Sequence, residues 1–240
     1  MAQEPKYRPL YRKLRDRLAS DIATGFWKPG EAIASESSLA NRHHVAVSTV
    51  RRAIDMLVLD GLVERIQGAG TFVRRPDFTK VSIRKVRCHG SAADERTPRS
   101  RLLERSRLAA PKEVATALNL ELEAEVIRLL RLRVLDDVPV SVEEIWLEAI
   151  RFAPVLNMAD YKPRLMYPIY EKLCGLAVAR VEETVSIGSA GEAEAELLCL
   201  SLGSPVVLLD RLSLGYDGKP IEWRRVRAAA LDLHYTIEIR

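Results

Sequence analysis

The chain has 240 residues, 48% of them hydrophobic and 29% charged, with 37 Lys and Arg against 33 Asp and Glu for a formal net charge of +4. This is the composition of a folded globular protein, which excludes intrinsic disorder as the main state; at roughly 150 residues per domain the length allows one or two domains. No stretch approaches the roughly 18 apolar residues of a membrane span, and the charged start MAQEPKYRPLYRKLR has no apolar run behind it, so neither a secretory leader nor a membrane partner is expected.

The small net charge hides an asymmetry. Residues 1–75 carry 13 basic and 8 acidic side chains (+5), residues 76–107 carry 9 and 4 (+5), and residues 108–240 carry 15 and 21 (−6). A basic front and an acidic back suggest that the front binds a polyanion while the back does something else. The cysteines Cys88, Cys174 and Cys199 are odd in number and far apart, and no histidine stands at ligand spacing from one. Neither a disulfide framework nor a structural zinc is expected, and a reducing cytoplasm fits.

In chain order, Leu10, Leu14, Leu18 and Ile22 form one apolar stripe of a helix from about Pro9 to Thr24, which Gly25 and Lys28-Pro29-Gly30 end. A short second helix starts at Ser35, a favourable N-cap, with Glu36 against the helix dipole. The third runs from about Ser48 to Leu59, burying Val50, Ala53, Ile54 and Leu57, and stops at Gly61. Leu62–Ile66 and Thr71–Val73, joined by Gln67-Gly68-Ala69-Gly70, then read as a β-hairpin. Three helices and a hairpin make a winged helix-turn-helix, whose third helix is the natural occupant of a major groove.

With its apolar side turned inward, that helix presents Ser48, Thr49, Arg51, Arg52 and Asp55. Arginine pairs bidentately with guanine or clamps phosphate, and hydroxyls reach phosphates or base edges. Gly68 and Gly70 let the wing backbone approach DNA, with Arg65, Arg74 and Arg75 supplying charge; closing a tight turn is their simpler role. Ser35 and Ser37, at the start of the second helix, complete the expected DNA-facing set. His43 and His44 near the turn before the third helix suit a loop or phosphate contact better than a metal.

Leu10 to Val73 resembles the DNA-binding domain of GntR-type bacterial transcription regulators. The resemblance rests on Pro29-Gly30, Ser35-Glu36, Leu39-Ala40, Thr49-Val50-Arg51, Gly61-Leu62-Val63 and Gly68-Ala69-Gly70-Thr71-Phe72-Val73 in the family's order. Two departures stand out. Ala34-Ser35-Glu36-Ser37 replaces the usual Pro-Ser-Glu-Arg, and Val45-Ala46-Val47 replaces the Val-Ser-Arg that opens the recognition helix, removing a capping hydroxyl and a DNA-contacting arginine. Ser48 is a substitute cap if the helix begins later.

Residues 76–97 read as a linker containing Gly90-Ser91-Ala92-Ala93, leading to a strand near Arg101–Arg107. Beyond it the chain repeats itself. A shift of 80 aligns Leu118 with Leu198, Val126 with Val206, Leu129 with Leu209, Arg131 with Arg211 and Asp137 with Asp217; after one extra residue Pro139 matches Pro220. Each copy reads as a helix, a strand, an Asp-containing turn and a second strand, with a helix near Pro168–Cys174 and a strand near Val178–Ile187 between them. The expected packing is a sheet of two related halves with helices on one face and a ligand place at the seam.

Arg131 and Arg133 lie two apart on a strand and face the same side, where a carboxylate or phosphate could dock. Glu143 and Ser141 share a face of the partner strand. An ordinary exposed strand face gives the same alternation. Trp146, Trp223 and Tyr167 could stack on a ligand, although core packing suits each tryptophan better.

Residues 98–238 resemble the UTRA effector-binding domain, which has the chorismate lyase fold and marks the HutC branch of the GntR regulators. Arg131-Leu132-Arg133, the Asp137–Glu143 hairpin, Tyr167 before a helix ending at Gly175, and Tyr216-Asp217-Gly218-Lys219-Pro220-Ile221-Glu222 carry this resemblance. It implies effector contacts from Arg131, Arg133, Glu143, Tyr167 and Glu222. Leu165 stands where sugar-phosphate-sensing relatives have a phosphate-holding Ser, which points away from phosphate and leaves an anionic or zwitterionic effector.

The expectation is an α+β protein: a winged helix-turn-helix at 1–75, a linker at 76–97, and a chorismate-lyase-like (UTRA) antiparallel sheet with helices at 98–240. Its expected role is that of a homodimeric cytoplasmic repressor that binds double-stranded operator DNA and releases it on binding a small molecule. No cofactor, metal or catalysis is expected. The competing readings are a chorismate-lyase-like enzyme fused to a DNA-binding domain and an architectural DNA-binding dimer without an effector.

Overall fold

The computed structural model describes residues 8–76, 98–158 and 165–230. The linker from residue 77 on, Cys88 and the last ten residues lie outside the described residues. The chain falls into two compact units, which are taken in turn.

The first unit holds helices α1 (Leu10–Ala23), α2 (Glu36–His43) and α3 (Val47–Leu59) and strands β1 (Val63–Ile66) and β2 (Gly70–Val73). Leu14, Leu18 and Ile22 of α1 are buried with Leu39 of α2 and Val50, Ala53, Ile54 and Leu57 of α3, as the helical periodicity requires. Trp27 and Ile33, from the α1–α2 connection, join this core. That connection also extends the wing. Ile33 N donates to Thr71 O (2.8 Å) and Val73 N to Glu31 O (2.8 Å), with Ala32 bridged to Phe72.

Helix α3 begins at Val47, with Ala46 in the N-cap position and no side-chain cap. Ser48 therefore sits in the first turn instead of capping a later start. The extended backbone of Ala46 (φ −64°, ψ 146°) supplies the cap geometry without a cap side chain.

The second unit is a six-stranded sheet in the order β3-β4-β5-β8-β7-β6, made of β3 (Arg99–Ala109), β4 (Glu125–Leu135), β5 (Val138–Glu148), β6 (Val178–Ser189), β7 (Pro205–Gly215) and β8 (Pro220–Ala229). Its helices are α4 (Lys112–Leu118), α5 (Ala153–Leu156), α6 (Tyr167–Cys174) and α7 (Glu192–Leu198). The strand order reproduces the duplication as two three-stranded halves that meet at β5 and β8. Glu144 stands opposite Arg225 in that antiparallel pair. The shift that aligns Pro139 with Pro220 also aligns these two residues, so a pseudo-two-fold axis passes between them.

Helices cover both faces, not one. On one face α4 and α7 are tied to β8 by Arg225–Glu113 (2.6 Å) and Arg227–Glu194 (3.9 Å), and Trp146 is buried there beside Val114 and Leu118. On the other, Tyr167 and Tyr170 of α6 bond to Ser213 and Glu222. A single apolar face would have sufficed for a one-sided sheet; here the second face carries buried charge, and α6 shields it from water.

Candidate functional site

In the first unit the sequence-derived DNA set lies around the start of α3. Ser48 is exposed, Thr49 half-buried, and Arg51 and Arg52 exposed. Ser35 caps α2 by accepting from Ser38 N (3.2 Å), and Ser37 lies beside it, the two hydroxyls 3.2 Å apart. His44 closes the turn between α2 and α3 in the left-handed conformation (φ 52°).

The arginines are not equivalent. Arg51 donates from Nε and Nη2 to Glu36 Oε2 (3.1 and 2.9 Å) while its side chain stays 62% exposed. That hydrogen bond raises its pKa above the usual guanidinium value. Arg52 lies over the ring of Tyr11 at 4.5 Å, a cation–π contact that draws it toward α1. Arg65 pairs with Asp55 (2.5 Å) and Glu36 (3.6 Å), so it braces the wing against α3 instead of lending the tip a spare charge. Gly68 (φ 76°) and Gly70 (φ 127°) at the exposed wing tip adopt backbone conformations that favour glycine.

In the second unit Arg131, Arg133, Glu143 and Glu222 come together on the inner face of the sheet. They line or adjoin a cavity of about 40 Å³ walled by Arg133, Ser141, Glu143, Leu209, Arg211 and Arg224. Arg131 is opposite Glu143 in the β4–β5 register and reaches its Oε2 at 3.2 Å, with Arg224 and Arg133 at 3.7 and 3.8 Å from the same carboxylate. Burial alone would push the Glu143 pKa up; Arg131, Arg224, Arg133 and Arg211 outweigh it and hold it at about 2. Glu222 is fully buried and receives Arg224 (2.8 and 2.9 Å) and the Tyr170 hydroxyl (2.5 Å). Burial opposes the Arg224 charge, but Glu222 and Glu143 raise its pKa well above the ordinary value.

Tyr167 at the start of α6 shares a hydrogen bond with Ser213 (2.9 Å) and lies under the Arg224 guanidinium. Its pKa is raised, chiefly by burial and next by Glu222. Leu165 is exposed and is not among the residues lining the cavity. Trp146 and Trp223 lie with α4 on the opposite face, in packing roles.

Sequence reasoning missed Arg211, Arg224, Ser213, Tyr170 and Ser100. The duplication carried a signal for the first two, since its shifts place Arg211 at the position of Arg131 and Arg224 at that of Glu143. Ser100 of the edge strand β3 accepts from Arg131 Nη2 (2.7 Å) and Arg133 Nη1 (2.5 Å). Among the described residues no group of three or more His, Cys, Asp or Glu is placed to hold a metal ion. No helix among them is long and apolar enough to cross a membrane.

Two stretches of the chain match known families. Residues 10–73 match the gntR family of bacterial regulatory proteins, and residues 93–231 match the UTRA domain. The chain is 26% identical to the HTH-type transcriptional repressor NagR of Bacillus subtilis (strain 168), covering 89% of this chain and 88% of that one. It is 28% identical to the histidine utilization repressor of Pseudomonas aeruginosa, covering 85% and 80%. Among solved structures it is similar to PhnF from Mycobacterium smegmatis, with a TM-score of 0.58, 27% identity, and 97% and 99% of the two chains covered.

Proposed function

This chain belongs to the gntR family of bacterial regulatory proteins and carries a UTRA domain, and on that premise we propose that it is a homodimeric repressor whose operator affinity is set by a small molecule bound among Arg131, Arg133, Glu143, Tyr167 and Glu222. The observation that carries this reading is the buried charge cluster itself. Arginines and glutamates packed around a small cavity in a sheet cost desolvation energy that apolar residues would avoid. A site that binds a charged metabolite gives them a reason to be there.

In this reading residues 1–75 read double-stranded DNA, residues 98–240 sense the effector and dimerise, and residues 76–97 join the two. Ser35, Ser37, Ser48, Thr49, Arg51, Arg52, Gly68 and Gly70 form the DNA-facing surface. Two copies address a near-palindromic operator, because protein two-fold symmetry maps onto DNA symmetry. Effector binding shifts the population toward arrangements of the DNA-binding domains that fit the operator poorly, with a coupling of about 1–3 kcal/mol. The protein acts in the cytoplasm, where its DNA is, and as a regulator and not an enzyme.

The test is a fluorescence-anisotropy titration of the protein on DNA from upstream of its own gene, repeated with amino acids, organic acids and sugar derivatives. Specific binding that one metabolite weakens about 5- to 150-fold supports the reading. Binding no tighter than to scrambled DNA of equal length overturns it.

A further inference from the structure

The first unit is larger than its helices and wing. Leu176–Arg180, which leads into β6, and Leu214–Lys219, the turn from β7 into β8, group with it and not with the rest of the sheet. Ala179 and Tyr216 are buried in the same apolar cluster as Trp27, Leu39 and Val73, with Ala177 packed against it. A buried tyrosine needs a partner for its hydroxyl. Tyr216 donates it to Arg74 O (2.5 Å), the carbonyl that follows β2, while Arg74 N donates to Leu62 O (2.9 Å). The residue that ends the wing is thus held at both of its backbone polar groups.

The turn that carries Tyr216 is tied to itself. Gly215 N donates to Lys219 O (2.9 Å), Gly218 N to Gly215 O (3.0 Å) and Lys219 N to the Asp217 carboxylate (3.0 Å). It therefore moves as one piece with the strand that feeds it. That strand is β7, whose Leu209 and Arg211 line the cavity and whose Ser213 is fully buried and shares a hydrogen bond with Tyr167. These three strand residues alternate onto one face. Tyr216 lies three residues beyond Ser213, about 10 Å of extended chain.

We propose that the β7–β8 turn, anchored through Tyr216 on Arg74, relays occupancy of the cavity to the DNA-binding wing. The inference rests on the effector-binding reading above and names the element that carries its signal. A ligand that displaces β7 displaces Tyr216, and with it the carbonyl that fixes the end of the wing. Arg74 and the adjacent Arg75 are exposed there, so a shift at this point changes how charge is presented to DNA. A phenylalanine would serve the apolar cluster equally well; the hydroxyl adds the link.

The experiment uses the full chain and needs no metabolite, because a larger side chain in the cavity wall takes the place of one. Ala228→Val and, separately, Val226→Ile fill the cavity that both residues line. Operator affinity is measured by anisotropy for each, with and without Tyr216→Phe, and unfolding midpoints verify that every variant folds. Each filler is expected to weaken binding about fivefold or more, and by less than about twofold in the Tyr216→Phe background. In Tyr216→Phe alone, amide hydrogen exchange at Val73 and Arg74 should quicken about two- to tenfold, as for one lost hydrogen bond. No weakening by either filler, an equal weakening in both backgrounds, or unchanged exchange at Val73 and Arg74 overturns the proposal. If the unsubstituted protein instead fails to bind its upstream DNA, the regulator reading falls, while the exchange measurement still decides whether Tyr216 holds the wing.

Discussion

Arg131 and Glu143 face each other across β4 and β5, 3.2 Å apart and both buried, at the centre of a cluster in which three arginines share one carboxylate. Two facts follow from one geometry. The glutamate is locked in its charged form, and the arginines are held in place by a group that cannot leave. A pair of this kind ties stability to pH.

The pH dependence has a definite sign. The Glu143 pKa is held at about 2 in the folded protein against an ordinary 4.5. A depressed carboxylate contributes stability that is fully present above its unfolded pKa and is lost as pH falls through the folded one. Thermal or denaturant unfolding should therefore show stability falling from about pH 5 down to about pH 2, and Glu143→Gln should flatten part of that slope. At neutral pH the same variant should be destabilised by about 3–5 kcal/mol, the usual result of removing one partner of a buried ion pair. An unchanged slope would show that Glu143 does not carry this dependence.

Arg51 and Arg52 are neighbours in sequence with different surroundings, and their variants should separate. Arg51 is exposed in the first turns of α3 and is oriented by Glu36. Arg51→Ala should weaken operator binding by about 1–3 kcal/mol in a gel-shift or anisotropy assay. Arg52 is drawn onto Tyr11. Its replacement by Ala should cost mainly stability, about 0.5–1 kcal/mol, with a smaller loss of DNA affinity than Arg51→Ala. Equal losses would place both arginines on the DNA.

Where the sequence was informative, the information was local or periodic. Of the stripe Leu10, Leu14, Leu18 and Ile22, the last three form the buried side of α1 while Leu10, at the first turn, is exposed, and the repeated Pro139 and Pro220 located both hairpins. The pairing of β5 with β8 is not local, so nothing in the chain order told that Arg224 would reach Glu143 across the seam. The same holds for Ser100. Its strand is recognisable, yet its contact with Arg131 and Arg133 depends on β3 lying beside β4 in one register, with a shift between Leu102 and Glu104. The placement of α6 over the charged face was hidden for a related reason. Alternating charge on a strand reads equally as a solvated face or as a covered polar site.

The two recognition-motif helices offer a paired test of capping. Ser35 accepts from Ser38 N at the start of α2, whereas Ala46 holds the same extended backbone before α3 with no side-chain acceptor. Ser35→Ala should lower unfolding stability by about 0.5–2 kcal/mol, and Ala46→Ser should raise it by a comparable or smaller amount. Chemical denaturation of each variant measures both. A neutral Ala46→Ser would mean that the first turn of α3 gains nothing from an added hydroxyl.

Salt dependence tests the basic front quantitatively. Each phosphate neutralised releases condensed counterions, so log affinity falls linearly with log salt by about 0.9 per contact. Arg51 is exposed on α3, and Arg74 and Arg75 are exposed where the wing ends. If each neutralises one phosphate in both protomers of a dimer, the slope should be about −5. Replacing Arg75 with Ala should then reduce it by about 2, because the change is made twice per complex. The affinity lost should be similar on operator and unrelated DNA, since a phosphate contact carries no base information. A slope near zero would contradict DNA binding driven by this surface, and a loss confined to the operator would move Arg75 from the phosphates to the base edges.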